Sequence, residues 1–223
     1  MKTVRLNDWH TQKLGDGEIV RRILAGEKVF YEILVRRNNQ TLYRVIRSYL
    51  RDEAEIEDAM QNAYLKAFSK LHQFRLESSF STWLVRIGIN EALARLQEKG
   101  KWHRMTKPEI DNTYTPLDVP DDKQPNPQER MIRSEAKYLF ERAIDSLELK
   151  YRTVYTLKEI EEMSVKEISI ALAISETNVK VRLHRAKEML KDRLYEISND
   201  RNLFEFGSAR CDGITERVMS SIG

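Results

Sequence analysis

The sequence predicts an all-α protein of two small helical domains joined by an acidic, proline-containing linker, and three observations carry that reading. Apolar residues recur every three to four positions in several stretches, the period of a helix with one buried face. Gly (8) and Pro (5) are scarce in 223 residues, which disfavours a turn-rich β fold. All five prolines, Pro108, Pro116, Pro120, Pro125 and Pro127, fall in one stretch, where they would break any helix. That stretch, 106–128, carries Glu109, Asp111, Asp118, Asp121 and Asp122 against Lys107 and Lys123. A segment this long without its own periodicity separates domains rather than crossing one core. The expected division is residues 1–104 for a first domain, 105–129 for the linker, 130–198 for a second domain and 199–223 for a tail.

In the first block, Asp16-Gly17 precedes a short helix to about Ala25. Phe30, Ile33, Leu34, Leu42, Val45 and Ile46 mark helix across most of 27–50. Asp52-x-x-Glu55 has the form of a capping box. It opens a helix with Ile56, Ala59, Met60, Ala63, Ala67, Phe68 and Leu71 on one face. Ser79 or Ser81 caps a further helix to about Glu98, with Phe80, Trp83 and Ile87 toward the core. In the second block, helices are expected over about 132–147 and 151–162. Ser164-x-x-Glu167 is a second capping box, opening a short helix to Leu172. Ala173-Ile174-Ser175 is a tight turn with Ser175 as N-cap, and a long helix follows from Glu176 to about Ile197.

A short helix, a three-residue turn and a longer helix form the pattern of a helix-turn-helix. On the long helix Val179, Leu183, Ala186, Leu190 and Leu194 form the core stripe. Lys180, Arg182, His184, Arg185, Lys187, Lys191 and Arg193 occupy the rest, a distribution suited to phosphates. Glu176, Thr177 and Asn178 at its start are placed to approach base edges. The overall charge of +3 is too small to identify a nucleic-acid partner, so its distribution decides.

Residues 165–187, VKEISIALAISETNVKVRLHRAK, resemble the −35-reading segment of sigma factors of the extracytoplasmic-function (ECF) group. Leu147 to Tyr155 resembles the supporting helices. Residues 56–68, IEDAMQNAYLKAF, are similar to the family helix that docks on the β′ clamp helices of RNA polymerase. Residues 74–90, FRLESSFSTWLVRIGIN, are similar to the segment leading from promoter melting into −10 recognition. The resemblance covers about 16–104 and 130–196. It implies sigma domain 2 in the first block and sigma domain 4 with its helix-turn-helix in the second. It also implies a subunit that binds core RNA polymerase and promoter DNA and directs promoter-specific initiation without being an enzyme.

The residues it points to are Asp58, Gln61 and Leu65 for the polymerase core. For the −10 element they are Asn90, Arg95, Lys99 and Lys101. For the −35 element they are Thr177, Asn178, Lys180, Arg182 and Arg185. The implied partners are the β′ clamp helices and β subunit of core RNA polymerase, promoter DNA and an anti-sigma factor. The linker acids are expected to run near the basic RNA exit path. Gly88 stands where Ala is more usual and lowers helix stability a little.

No cofactor or metal is expected. There is no phosphate loop, HExxH or CxxC, the histidines are scattered, and one cysteine, Cys211, builds no zinc site. No apolar run approaches the ~20 residues of a membrane span, and residues 1–12 lack the apolar core of a signal peptide. A cytoplasmic location is the expectation. A helix-turn-helix regulator acting apart from polymerase would explain the second block but not the first. A sigma-like interaction module without promoter binding would leave both sets of basic residues without a role, and a nuclease lacks a metal constellation.

Overall fold

The computed structural model describes residues 14–105, 127–198 and 217–219, and every element among them is helical. The N-terminal lobe holds α1 (Asp16–Leu24), α2 (Tyr31–Arg47), α3 (Glu53–Ser69) and α4 (Phe80–Met105), with short 3₁₀ turns at Lys28–Phe30 and Leu71–Gln73. The C-terminal lobe holds α5 (Pro127–Asp145), α6 (Leu149–Tyr155), α7 (Val165–Leu172) and α8 (Glu176–Ser198). A π-helical turn, Thr156–Ile160, continues α6.

The starts of these helices follow side-chain chemistry. Asp52 accepts the amide of Glu55, giving the forward half of the expected box. The Glu55 carboxylate instead meets Lys99 at 2.7 Å. Ser79, not Ser81, caps α4: its hydroxyl accepts the amide of Thr82 at 3.1 Å. The Ser164–Glu167 box closes in both directions, and hydrogen bonds from Ser164 hold the Glu167 carboxyl below the usual glutamate range. Two expected boundaries move. Helix α4 runs past Glu98 to Met105, and α5 begins at Pro127, before the expected domain start at 130. Proline fits that first turn because its missing N–H would have no intrahelical partner there.

Helices α3 and α4 pack on α2 around Leu34, Leu42, Val45, Ile46, Ile56, Ala63, Phe80 and Leu84. Tyr31 donates to the Tyr64 carbonyl at 2.7 Å and Tyr64 to the Val35 carbonyl at 3.1 Å, which fixes α3 against α2. Burial pushes both phenols upward. The expected core face of α4 is realised unevenly. Phe80 is fully buried, whereas Trp83 and Ile87 lie half-buried at the core's edge, with Trp83 against Phe74 and Phe80.

Gly88 has a packing role beside its small cost in helix propensity. It lies where α4 crosses α2, and a Cβ there would stand 2.5 Å from Leu42 Cδ1. Leu42 is fully buried, so its side chain has little room to withdraw. Gly88→Val should therefore lower the stability of the N-terminal lobe by about 1–3 kcal/mol through overpacking. A urea titration read by circular dichroism checks this; an unchanged midpoint would show that Leu42 yields freely.

Two separate cores were the expectation, and the packing differs. The main core continues from the N-terminal lobe into Val154, Leu157, Ile168 and Val179 of the C-terminal lobe. A second cluster, Ala143, Ile144, Leu147, Tyr151, Tyr155, Ala186 and Leu190, is confined to the C-terminal lobe. The lobes meet because α7 packs on α4.

Candidate polymerase and promoter interfaces

Helix α3 buries Ile56, Ala59, Ala63 and Ala67 and turns Asp58, Gln61 and Leu65 to the other side, where all three are exposed. Leu65 is 61% exposed, high for a leucine flanked by polar residues. A strip with one carboxylate, one amide and one uncovered apolar side chain offers both an ion-pairing and a desolvation contact to a partner helix.

Helix α4 runs alongside and is tied to α3 by ion pairs. Lys66 meets Glu91 at 2.6 Å, Arg95 meets Asp58 at 3.5 Å and Lys99 meets Glu55 at 2.7 Å. Arg95 and Lys99 are thus paired with acids of α3. Such exposed pairs contribute little to stability and exchange readily for a stronger anion. The side chain of Lys101 and the linker acids lie outside the described residues. So do Ile214 and Ile222 of the expected tail stripe; Val218 of that stripe is exposed.

The helix-turn-helix forms as expected. Ala173 takes the left-handed conformation, φ 53°, that ends α7, and Ser175 accepts the amide of Asn178 at 3.2 Å to start α8. Val179, Ala186 and Leu190 are buried, with Leu183 and Leu194 partly so, and this sets which face of α8 remains outside. Thr177, Asn178, Lys180 and Arg185 are exposed there. Arg182 is half-buried, and its Nε donates to Asn178 Oδ1 at 2.9 Å. Arg185 reaches the Tyr151 hydroxyl at 3.3 Å, which lowers the phenol's pKa and raises that of the guanidinium.

One residue from each candidate DNA set faces the same cleft. Asn90 of α4 and Arg182 of α8 line one cleft of about 500 Å³, with Tyr49, Arg86, Leu93, Lys150 and Thr153. Arg86 is a residue that sequence reasoning missed. It stands one turn before Asn90 and exposed, so the i, i+4 spacing was the signal available for it.

The sequence profile of sigma-70 region 2 matches residues 34–101, and that of sigma-70 region 4 matches 138–190. Together they cover more than half of the chain, in this order. The chain belongs to the sigma-70 family, in its extracytoplasmic-function group. It is 29% identical over 184 residues to the RNA polymerase sigma-H factor of Pseudomonas aeruginosa, covering 80% of this chain and 93% of that one. It is 27% identical over 189 residues to the ECF RNA polymerase sigma-E factor of Escherichia coli K12, covering 82% and 96%.

Two solved structures share the fold. The sigma factor RpoE of Bartonella quintana, in complex with the anti-sigma factor NepR, aligns with a TM-score of 0.61 at 18% identity, over 77% of this chain and 98% of that one. CnrH in complex with the cytosolic domain of CnrY aligns with a TM-score of 0.55 at 22% identity, over 80% and 96%. As a sigma factor, the chain works with RNA polymerase and promoter DNA to direct promoter-specific initiation. Asp58, Gln61 and Leu65 lie within its region 2, as do Asn90, Arg95 and Lys99, and the recognition-helix residues lie within its region 4. Among the described residues no cluster of His, Cys, Asp or Glu is placed to hold a metal, and no helix is long and apolar enough to cross a membrane.

Proposed function

We propose that the labour of initiation is divided between the lobes. The first, residues 1–104, docks on the β′ clamp helices through Asp58, Gln61 and Leu65. It reads and helps melt the −10 element with Asn90, Arg86, Arg95, Lys99 and Lys101. The second, residues 130–198, reads the −35 element with Thr177, Asn178, Lys180, Arg182 and Arg185, and residues 105–129 join them. The observation that carries this reading is the capped helix-turn-helix, whose buried stripe leaves a basic face outside, on the same chain as the exposed Asp58–Gln61–Leu65 strip. The chain supplies no catalytic group, RNA synthesis belonging to the polymerase, and it acts in the cytoplasm. The solved neighbour RpoE supports an anti-sigma factor as a further partner, since it was captured with one.

Co-purification with core polymerase followed by run-off transcription tests the division. The expected result is a stable complex that starts at defined sites. Core binding without initiation would point to an interaction module. DNA binding without core binding would point to a regulator that acts apart from the polymerase.

A further inference from the structure

The cleft lined by Asn90 and Arg182 combines two kinds of surface. One is aliphatic. Ile89 of α4 and Ala171 of α7 are buried there, Leu149 and Leu172 are half-buried beside them, and Leu93 is 37% exposed. The volume of about 500 Å³ lies in the range of sites for small organic molecules. Such sites pair a mainly apolar lining with a few polar groups that fix orientation.

The other surface is cationic. Arg86 comes from α4, Lys150 from α6 and Arg182 from α8, against the single acid Glu148, which leaves a surplus of two positive charges. Glu148 is already matched to Lys150 at 2.8 Å. Among the described residues neither Arg86 nor Arg182 forms an ion pair, and the hydrogen bond of Arg182 goes to the neutral Asn178 side chain at 2.9 Å. The buried Tyr49 hydroxyl bonds to Thr153; burial pushes this phenol up, and Arg182 is near enough to oppose the shift. Two guanidiniums lining one space without a carboxylate repel each other, and an anion held between them removes that cost. The aliphatic lining shows what the anion carries. Nucleic-acid backbones call for charge and donors, and unstacked bases call for aromatic planes. Leucine and isoleucine beside two guanidiniums match neither, and fit an anion with an aliphatic body.

We propose that this cleft is a binding site for a small amphipathic anion, a carboxylate or phosphate head on an aliphatic body. The head lies between Arg86 and Arg182, either of which can hold it through a two-pronged hydrogen bond. The body covers Ile89, Leu93, Leu149 and Leu172, surface that water now partly wets. A ligand placed in this way occupies Arg182 and competes with promoter DNA for that side chain. The competition rests on α8 being the DNA-reading helix, whereas the site itself does not, so ligand binding and DNA binding are measured separately.

The test is calorimetric titration of the full chain with decanoate and with decyl phosphate, which share a tail and differ in head. Inorganic phosphate probes the head alone and decanol the tail alone. One of the two amphipathic anions should saturate a single site at least tenfold more tightly than either control, and the tighter head names the class. Arg86→Gln and Leu93→Glu, each on an exposed position of α4, should weaken that binding at least tenfold, with folding checked by circular dichroism. Leu24→Glu, on an exposed apolar residue of α1 outside the cleft, should leave it unchanged. If Leu93→Glu does not fold, Arg86→Gln decides alone. The site is overturned if neither anion saturates, or if inorganic phosphate binds as tightly as decyl phosphate. It is also overturned if binding survives Arg86→Gln, or falls as far in Leu24→Glu. In the second arm, ligand at about ten times its dissociation constant should weaken binding of a mixed-sequence DNA duplex about tenfold. A ligand that binds as expected and leaves duplex affinity unchanged supports the site and counts against Arg182 as a DNA contact.

Discussion

Replacing Asp58, Gln61 and Leu65 together by alanine should weaken binding to core RNA polymerase by about 2–3 kcal/mol, roughly 30- to 150-fold, in a protein that remains folded. The folding half of this expectation follows from geometry. All three side chains point away from the Ile56–Ala59–Ala63–Ala67 stripe, so their removal opens no cavity. Only Asp58 has a recorded partner here, Arg95 at 3.5 Å, and that pair is exposed enough to be worth little. The binding half follows from chemistry. Leu65 is the apolar anchor, and covering it removes surface that water now wets. Asp58 and Gln61 add directional contacts that fix register along a partner helix. Leu65→Ala alone should carry a large share of the loss, while Asp58→Ala alone should act mainly on the salt dependence of association. A titration of labelled protein with core polymerase, with a thermal melt as the folding control, reads both. Unchanged affinity in the triple variant would move the clamp contact to another face of region 2.

How much of this was legible in the sequence depended on the range of the interaction. The helix-turn-helix was readable almost to the residue because its signals are local. Ser164 and Glu167 cap within four positions, Ser175 caps the next helix, and the Val179–Leu190 stripe repeats with the helical period. The Asp58–Gln61–Leu65 strip was readable for the same reason. What escaped was everything set by tertiary contact. Glu55 left its expected capping role for Lys99, a partner 44 positions away, and Arg95 turned to Asp58. Gly88 read as a small propensity defect because Leu42 is remote in sequence, although their approach fixes how closely α4 packs on α2. The extension of α4 to Met105 ran through Gly100, a residue that argues for a stop when only local propensity is weighed. The meeting of the lobes had no local signal. Asp145 and Arg47 are 98 residues apart with the linker between them, and each alone reads as an ordinary charge on a helix surface.

On the proposed recognition helix the side-chain contacts distinguish residues that spacing alone left alike, and the expected results differ for each. Arg182 is held by Asn178 through a 2.9 Å hydrogen bond one turn back, near the start of α8. An amide and a guanidinium fixed side by side present donors and an acceptor in defined directions, the requirement for reading a base edge in the major groove. Lys180 is exposed on the same turn, and its flexible stem suits a phosphate contact, where a point charge is enough. Arg182→Ala should therefore cost roughly 1–3 kcal/mol on the preferred −35 sequence and relax preference at one position. Lys180→Ala should weaken all −35 sequences alike and flatten the salt dependence by about one unit of slope. Asn178→Ala should reproduce part of the Arg182 effect, because it frees the guanidinium that the amide orients. Arg185, drawn toward the Tyr151 hydroxyl, should behave like Lys180. The measurement is binding of the reconstituted holoenzyme to matched and mutated −35 sequences across a salt series. If Arg182→Ala weakens every sequence equally, its guanidinium is a phosphate contact. If neither Arg182→Ala nor Lys180→Ala changes affinity or preference, the exposed face of α8 is solvated surface and the −35 element is read elsewhere.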